Sequence, residues 1–118
     1  MRYFKPLSLT RRADFIRVQT QGHRWRSNRV VLLIDPGVCA KVRVGYTVSR
    51  RVGNAVVRNR IRRQLREIVR LHQETLVQGW DYVLVATPRA VASDYSILEK
   101  EVVFLLDAAC SEVKLKVF

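Results

Sequence analysis

From Val48 to Arg70 the chain reads V-S-R-R-V-G-N-A-V-V-R-N-R-I-R-R-Q-L-R-E-I-V-R, and this stretch decides how the rest is read. It opens on Arg50 and Arg51, turns at Gly53-Asn54, and continues as an amphipathic helix to about His72. Val57, Ile61, Leu65 and Ile68 recur at helical spacing, which stacks them on one face. Arg62, Arg63, Arg66 and Arg70, with Asn59, fall on the opposite face, and Arg58 and Arg60 flank the apolar stripe. Asn54 is the expected N-cap, because its side-chain oxygen can accept from a free amide of the first turn.

A merely solvated helix face usually mixes signs at i,i+4. Here Arg50 to Arg70 holds eight arginines against one acid, Glu67. Arg62, Arg66 and Arg70 set like charges one turn apart, which costs a few tenths of a kcal/mol per pair unless an anion offsets it. Arginine favours phosphate because its planar fork binds two oxygens at once. A nucleic acid is therefore the expected partner of this face.

The 118 residues suit one domain, 1–118, with a single core. The net charge of +12 is uneven: residues 1–49 carry ten basic and two acidic groups, residues 50–70 eight and one, residues 71–118 four and seven. The positive field belongs to the first 70 residues, and the last part reads as scaffold. Cys39 and Cys110 are too isolated for a disulfide framework or a zinc site. The opening Met1-Arg-Tyr-Phe-Lys-Pro lacks the apolar run of a signal peptide, and no stretch is long enough to span a bilayer. A cytoplasmic location without membrane attachment is the expectation.

In chain order, residues 1–10 read as an extended lead-in, with Ser8 or Thr10 available to cap a helix from Arg11 to about Thr20 that stops at Gly22. Two readings stand for Phe15: an anchor in the core, or a partly exposed aromatic on which a base stacks. His23-Arg24-Trp25-Arg26 is basic and aromatic, with a possible short strand near Trp25. Arg29–Ile34 and Val42–Val48 read as strands around the Asp35-Pro36-Gly37 turn, hence as a hairpin with one buried face. Tyr82–Ala86 is a short continuous apolar strand, and Ser93–Val113 is helical, with Ile97, Leu98, Val102, Leu105, Leu106 and Ala109 as its stripe. Ser96 and Glu99 form a capping box if the helix starts there. The fold class expected is α+β: a two-layer α/β sandwich with a small, mainly antiparallel four-stranded sheet. The basic helix joins two strands that can lie parallel, and physics alone makes such a crossover right-handed in about 98% of cases.

There is no H-x-x-x-H, C-x-x-C, phosphate-binding loop or G-x-G-x-x-G. His23 and His72 lie outside any catalytic motif, and the first 70 residues offer only Asp14, Asp35 and Glu67 as acids. Two-metal hydrolysis needs clustered carboxylates. Asp81 is placed near the basic helix, but one carboxylate is a weak case. No catalytic residue and no metal ligand is assigned.

With these elements in place, V-G-Y-T-V-S-R-R-V-G-N-A-V-V-R-N-R-I-R-R-Q-L-R-E resembles the signature of the bacterial ribonuclease P protein component. The A-D-F helix upstream and the Val83–Pro88 strand downstream fall in that family's order, so the likeness covers about three quarters of the chain. The resemblance implies a small protein bound to a large catalytic RNA that removes the 5′ leader of precursor tRNA by Mg²⁺-dependent hydrolysis. The ion is held mainly by the RNA–substrate complex, and the protein is a monomer in a one-protein, one-RNA holoenzyme. It also implies a left-handed crossover at the basic helix, against the physical rule. By position, the resemblance makes Arg58, Asn59 and Arg60 the leading RNA contacts, supported by Arg50, Arg51, Asn54, Arg62, Arg63 and Arg66. Phe15, with Arg11 and Arg12, matches the leader-binding cleft. The chain departs from the family at Gln19 and Leu33, where aromatics are frequent. The rival class is a ribosomal-type structural RNA-binding protein, which explains charge and size equally well.

Overall fold

The computed structural model describes residues 6–92 and 94–117. Its elements run β1 (Leu7–Ser8), α1 (Arg12–Gln21), β2 (His23–Arg26), β3 (Val30–Pro36), β4 (Arg43–Thr47), α2 (Ala55–Leu71), β5 (Trp80–Ala86) and α3 (Tyr95–Val117). The α+β class holds, but the sheet is five-stranded and mixed, in the order β1-β4-β5-β3-β2. β1–β4 and β4–β5 are parallel; β2–β3 and β3–β5 are antiparallel.

The expected hairpin between residues 29–34 and 42–48 does not form, because β5 lies between β3 and β4 and pairs with both. The physical reason is composition. Tyr82 to Ala86 is apolar without alternation, and such a strand is stable only where both its faces and both its edges are covered. The hairpin is β2–β3 instead, with Trp25 opposite Leu32, so the short strand near Trp25 is present. The lead-in is also more than a tail. Leu7–Ser8 adds a parallel edge strand to β4, with Leu7 N–H donating to Val42 C=O at 3.1 Å and Leu9 N–H to Val44 C=O at 2.9 Å. Residues 1–5 and Ser93 lie outside the described residues.

Both faces of the sheet carry helix, so the two-layer expectation is corrected to three layers. Val30, Leu32, Ile34, Val44, Tyr82, Leu84 and Ala86 face α2 and α3, meeting Ile61, Leu65, Ile68, Leu98, Val102 and Leu105 in the main core. The intervening residues Val31, Leu33 and Val83 face α1, with Leu9, Val18 and Phe15. Ile97, placed in the buried stripe by periodicity, is 39% exposed, and Val113 takes part in the core instead. Two capping expectations also fail. α1 begins after Arg11 with no side-chain cap. α3 begins one residue before Ser96, and Glu99 meets His72 Nε2 at 3.1 Å rather than closing a box.

A buried ion cluster fastens α1 to the sheet. Asp81 is fully buried; Arg43 donates to it through Nε at 2.9 Å and Nη2 at 2.7 Å, and Arg17 of α1 donates through Nη2. Arg17 Nη1 also donates to Asp35 Oδ2 at 2.5 Å and to the Pro36 carbonyl at 3.0 Å. Asp81 therefore sits under α1, not beside the basic helix as its position in the sequence suggests. Burial pushes its carboxyl up, but the hydrogen bonds from Arg43 and Arg17 outweigh that and hold it below the ordinary carboxylate range.

Because this pKa is lowered by folding, the cluster's contribution is present above the unfolded value of about 4 and fades as pH falls below it. Asp81→Asn should destabilise by roughly 2–4 kcal/mol, the lower part of the range for a broken buried pair, since Arg17 and Arg43 keep some contact with water. Urea unfolding at pH 7 and pH 3 checks both points: the gap between wild type and variant should shrink at the lower pH. An equal gap at both would place the loss outside this carboxylate.

Candidate nucleic-acid interface

The basic helix is built as its sequence dictates. Asn54 Oδ1 accepts from Val57 N–H at 3.0 Å, and Ile61, Leu65, Ile68 and Val69 are buried against the sheet and α3. Asn59, Arg60, Arg63 and Arg66 are exposed on the far side, and Arg50 and Arg51 are exposed in the turn ahead. Arg58 is half-buried with an Nε–H that meets no acceptor. Arg62 leans toward the end of β4, donating to Asn59 Oδ1 at 3.0 Å and to the Val48 carbonyl at 3.4 Å. Arg66 stands over the Tyr46 ring, 5.6 Å from its centroid, a cation–π contact that fixes where the guanidinium sits.

The arginines fall into two populations. Arg17, Arg29 and Arg43 are ion-paired with Asp35, Asp81, Glu101 or Asp14 and fasten elements together. Among the described residues, Arg70 is the one arginine of α2 that reaches a carboxylate, that of Glu67 at 2.7 Å. Arg58, Arg60, Arg62, Arg63 and Arg66, and Arg50 and Arg51 before them, form no ion pair among the described residues. Uncompensated cations held along one rigid helix form a fixed positive strip suited to a polyanion.

A second basic feature lies on the opposite face of the sheet. Strand register sets three rows across the strands there. Arg43-Asp81-Asp35 is the ion cluster, and Gly45-Val83-Leu33-Arg24 runs beneath α1 as far as β3. Thr47-Val85-Val31-Arg26 is the third row, beside α1, with Val31 buried at its edge, Thr47 and Val85 part-exposed and Arg26 exposed. With strands about 4.8 Å apart, that row makes a groove floor about 14 Å long. Phe15, Arg12 and Arg62 stand at its β4 end; Gln19, Arg24, Arg26 and Arg89 stand toward β2.

Phe15 is neither fully buried nor fully open. Its ring is half-buried in the small cluster with Leu9 and Val18, and it also lines the groove with Arg12 and Thr47. Gly45 makes this possible: a Cβ there would lie 2.5 Å from Phe15 Cζ. Arg12 and Arg11 are exposed, but only Arg12 is among the groove's lining residues. Leu33 is 2% exposed under α1, and it lines the β2 end of the groove together with Val31 and Val85. Arg24 and Arg26 were not singled out from sequence. The signal was there in the alternation of His23-Arg24-Trp25-Arg26, which puts Trp25 toward the main core and both arginines toward the groove.

No group of three or more His, Cys, Asp or Glu side chains suited to a metal ion occurs among the described residues. Asp14, Asp35 and Asp81, which gather around Arg17 and Arg43, have their carboxylates engaged by those arginines. These residues do not fit a protein-held Mg²⁺.

A mixed sheet with a free arginine helix on one side and a basic, partly apolar groove on the other defines a small RNA-binding protein. The sequence profile of the Ribonuclease P family matches residues 4–110. The chain is 39% identical over 103 residues to the ribonuclease P protein component of Chloroflexus aurantiacus, covering 86% of this chain and 76% of that one. It is 40% identical over 111 residues to that of Desulfovibrio desulfuricans, covering 89% and 85%. Its fold is similar to the RNase P protein of Staphylococcus aureus, with TM-score 0.80, 26% identity and coverage of 89% and 96%. The Thermotoga maritima protein gives 0.78, 25%, 86% and 96%. The chain belongs to the ribonuclease P protein component family, whose work is tRNA processing; the ribosomal-type alternative is not favoured.

The Phe15–Gly45 seat is testable by a double-mutant cycle. Gly45→Ala should displace the ring and cost roughly 1–3 kcal/mol by overpacking. In a Phe15→Ala background the same change should cost clearly less, only the closer contact with Leu9 Cβ remaining, which leaves a coupling energy in urea unfolding. Equal costs in both backgrounds would show that the ring is not what Gly45 accommodates.

Proposed function

We propose that this chain is the non-catalytic protein subunit of a ribonuclease P holoenzyme, with α2 on the catalytic RNA and the groove on the 5′ leader of precursor tRNA. The observation that carries the reading is the partition of the arginines: those fastening the fold are paired, while those of α2 other than Arg70 meet no carboxylate among the described residues. Leader hydrolysis belongs to the RNA, with Mg²⁺ held mainly by the RNA–substrate complex, and the protein contributes binding and charge neutralisation. A monomer in a one-protein, one-RNA particle of the cytoplasm fits this role. No helix of the described residues is long and apolar enough to cross a membrane.

Within the groove, Phe15 offers one stacking ring, and the β2 end offers guanidinium groups in place of aromatics. Leader binding is thus base-selective at most near Phe15 and electrostatic toward Arg24 and Arg26. Phe15→Ala should weaken binding of long-leader substrates by roughly 1–3 kcal/mol and leave mature tRNA unaffected. Equal loss for both would return Phe15 to a purely structural role.

RNA-free protein should not cleave precursor tRNA, whereas added to a bacterial ribonuclease P RNA it should stimulate cleavage most at low Mg²⁺. Metal-dependent cleavage by protein alone would overturn the assignment. Arg58→Ala/Arg60→Ala should lower the magnitude of the salt slope for catalytic-RNA binding by up to about 0.7–0.9 per lost phosphate contact, with little change in melting temperature. An unchanged slope with a clear fall in melting temperature would make these arginines structural.

A further inference from the structure

A recess distinct from the groove lies between α2 and the open edge of the sheet. Val44, Tyr46 and Val69 line its inner surface, Pro6, Leu7 and Ser8 of the edge segment form one side, and Arg66 and Arg70 stand at its mouth. Its volume is about 180 Å³. An apolar cavity of roughly 150 Å³ already accepts a benzene ring, so there is room here for one ring and little more. Register places Ser8 beside Val44, which turns its side chain to the α2 side. Leu7 and Leu9 direct their N–H groups at β4, which leaves the Ser8 N–H and C=O facing the sheet's open edge. The recess thus combines apolar walls, a hydroxyl and two guanidinium groups, one of them fixed over an aromatic ring.

Charge complementarity and continuity with the α2 strip select the occupant. Arg66 belongs to both the strip and the recess, so RNA lying along α2 passes its mouth. We propose that the recess receives one unstacked pyrimidine nucleotide of that RNA, its base against Val44 and Val69 and its phosphate on Arg66, while Arg70 at the mouth stays paired with Glu67. The proposal rests on the RNA-binding reading of α2. It gives the helix a shape-reading element beside its sequence-independent phosphate contacts.

The test titrates uridine 5′-monophosphate into isotope-labelled full-length protein and follows backbone amide signals. Saturable shifts at Ser8, Val44, Tyr46 and Val69 are expected. Ser8→Trp, which fills the recess from an exposed position, should abolish them while Thr47 and Val85 respond as in wild type. Should inorganic phosphate reproduce the whole response, the recess is an anion site and the proposal fails. Shifts confined to Val31, Thr47 and Val85 would move the nucleotide to the groove and overturn the proposal equally. In the reconstituted holoenzyme, Ser8→Trp should weaken catalytic-RNA binding roughly ten-fold without altering the preference for long leaders. If wild type binds that RNA and Ser8→Trp binds it equally well, this proposal falls alone. If wild type does not bind it, the RNA-binding reading of α2 falls, and the proposal with it.

Discussion

The position of α1 depends on one buried carboxylate. Removing Asp81 from water costs several kcal/mol unless its charge is matched and its oxygens are hydrogen-bonded. Arg43 reaches it from β4 and Arg17 from α1, while Asp35 on β3 takes the remaining arm of Arg17. Four elements meet at this point. Ten residues are too few to hold a helix alone in water, so α1 exists where this cluster and the Phe15–Val18 contacts place it. At its other end Gly22 passes so close that a Cβ would sit 2.6 Å from the Ile34 carbonyl oxygen. Fixed at both ends, α1 fixes the wall of the groove.

The same residue type thus serves two opposed purposes. Arginines beside carboxylates lock the fold, and arginines without them leave charge for a partner. Among the latter, Arg58 carries a buried Nε–H with no acceptor, a local cost that a fold tolerates more readily when a bound anion relieves it. Placing the unpaired set on α2 is mechanically sound. The helix connects the adjacent parallel strands β4 and β5, and its apolar stripe packs into the main core, so its charges are carried on rigid structure.

Much of this was legible in sequence, and the failures have identifiable causes. The helix capped by Asn54 was readable because apolar period, cap and charge pattern all agreed. β5 was recognised as a strand but not placed, since a run apolar on both faces says that it is central without saying between which neighbours. The hairpin error followed from that: Asp35 and Pro36 are still strand, paired with Asp81 and Trp80, and the connection that follows, before β4 begins at Arg43, carries the chain past β5 rather than back along β3. Asp81 looked like a stray acid because its partners are 38 and 64 residues away in sequence. The groove was legible only through the family resemblance, and its floor not at all, because that floor takes single residues from four strands and exists only once their register is set.

That register has a consequence for which changes in chain length the protein tolerates. Along β3, β4 and β5, even-numbered residues pack toward α2 and α3, and odd-numbered ones build the ion cluster, the seat of α1 and the groove floor. Adding or removing one residue within any of these strands would exchange the two sets, sending core valines to the groove and Asp81 into the main core. Neither face can be altered in length without the other. Insertions and deletions are therefore confined to the joints between elements, such as Gly37 to Lys41, where a longer loop adds only a slowly growing entropic cost. Within the central strands, divergence must proceed by replacement at constant length.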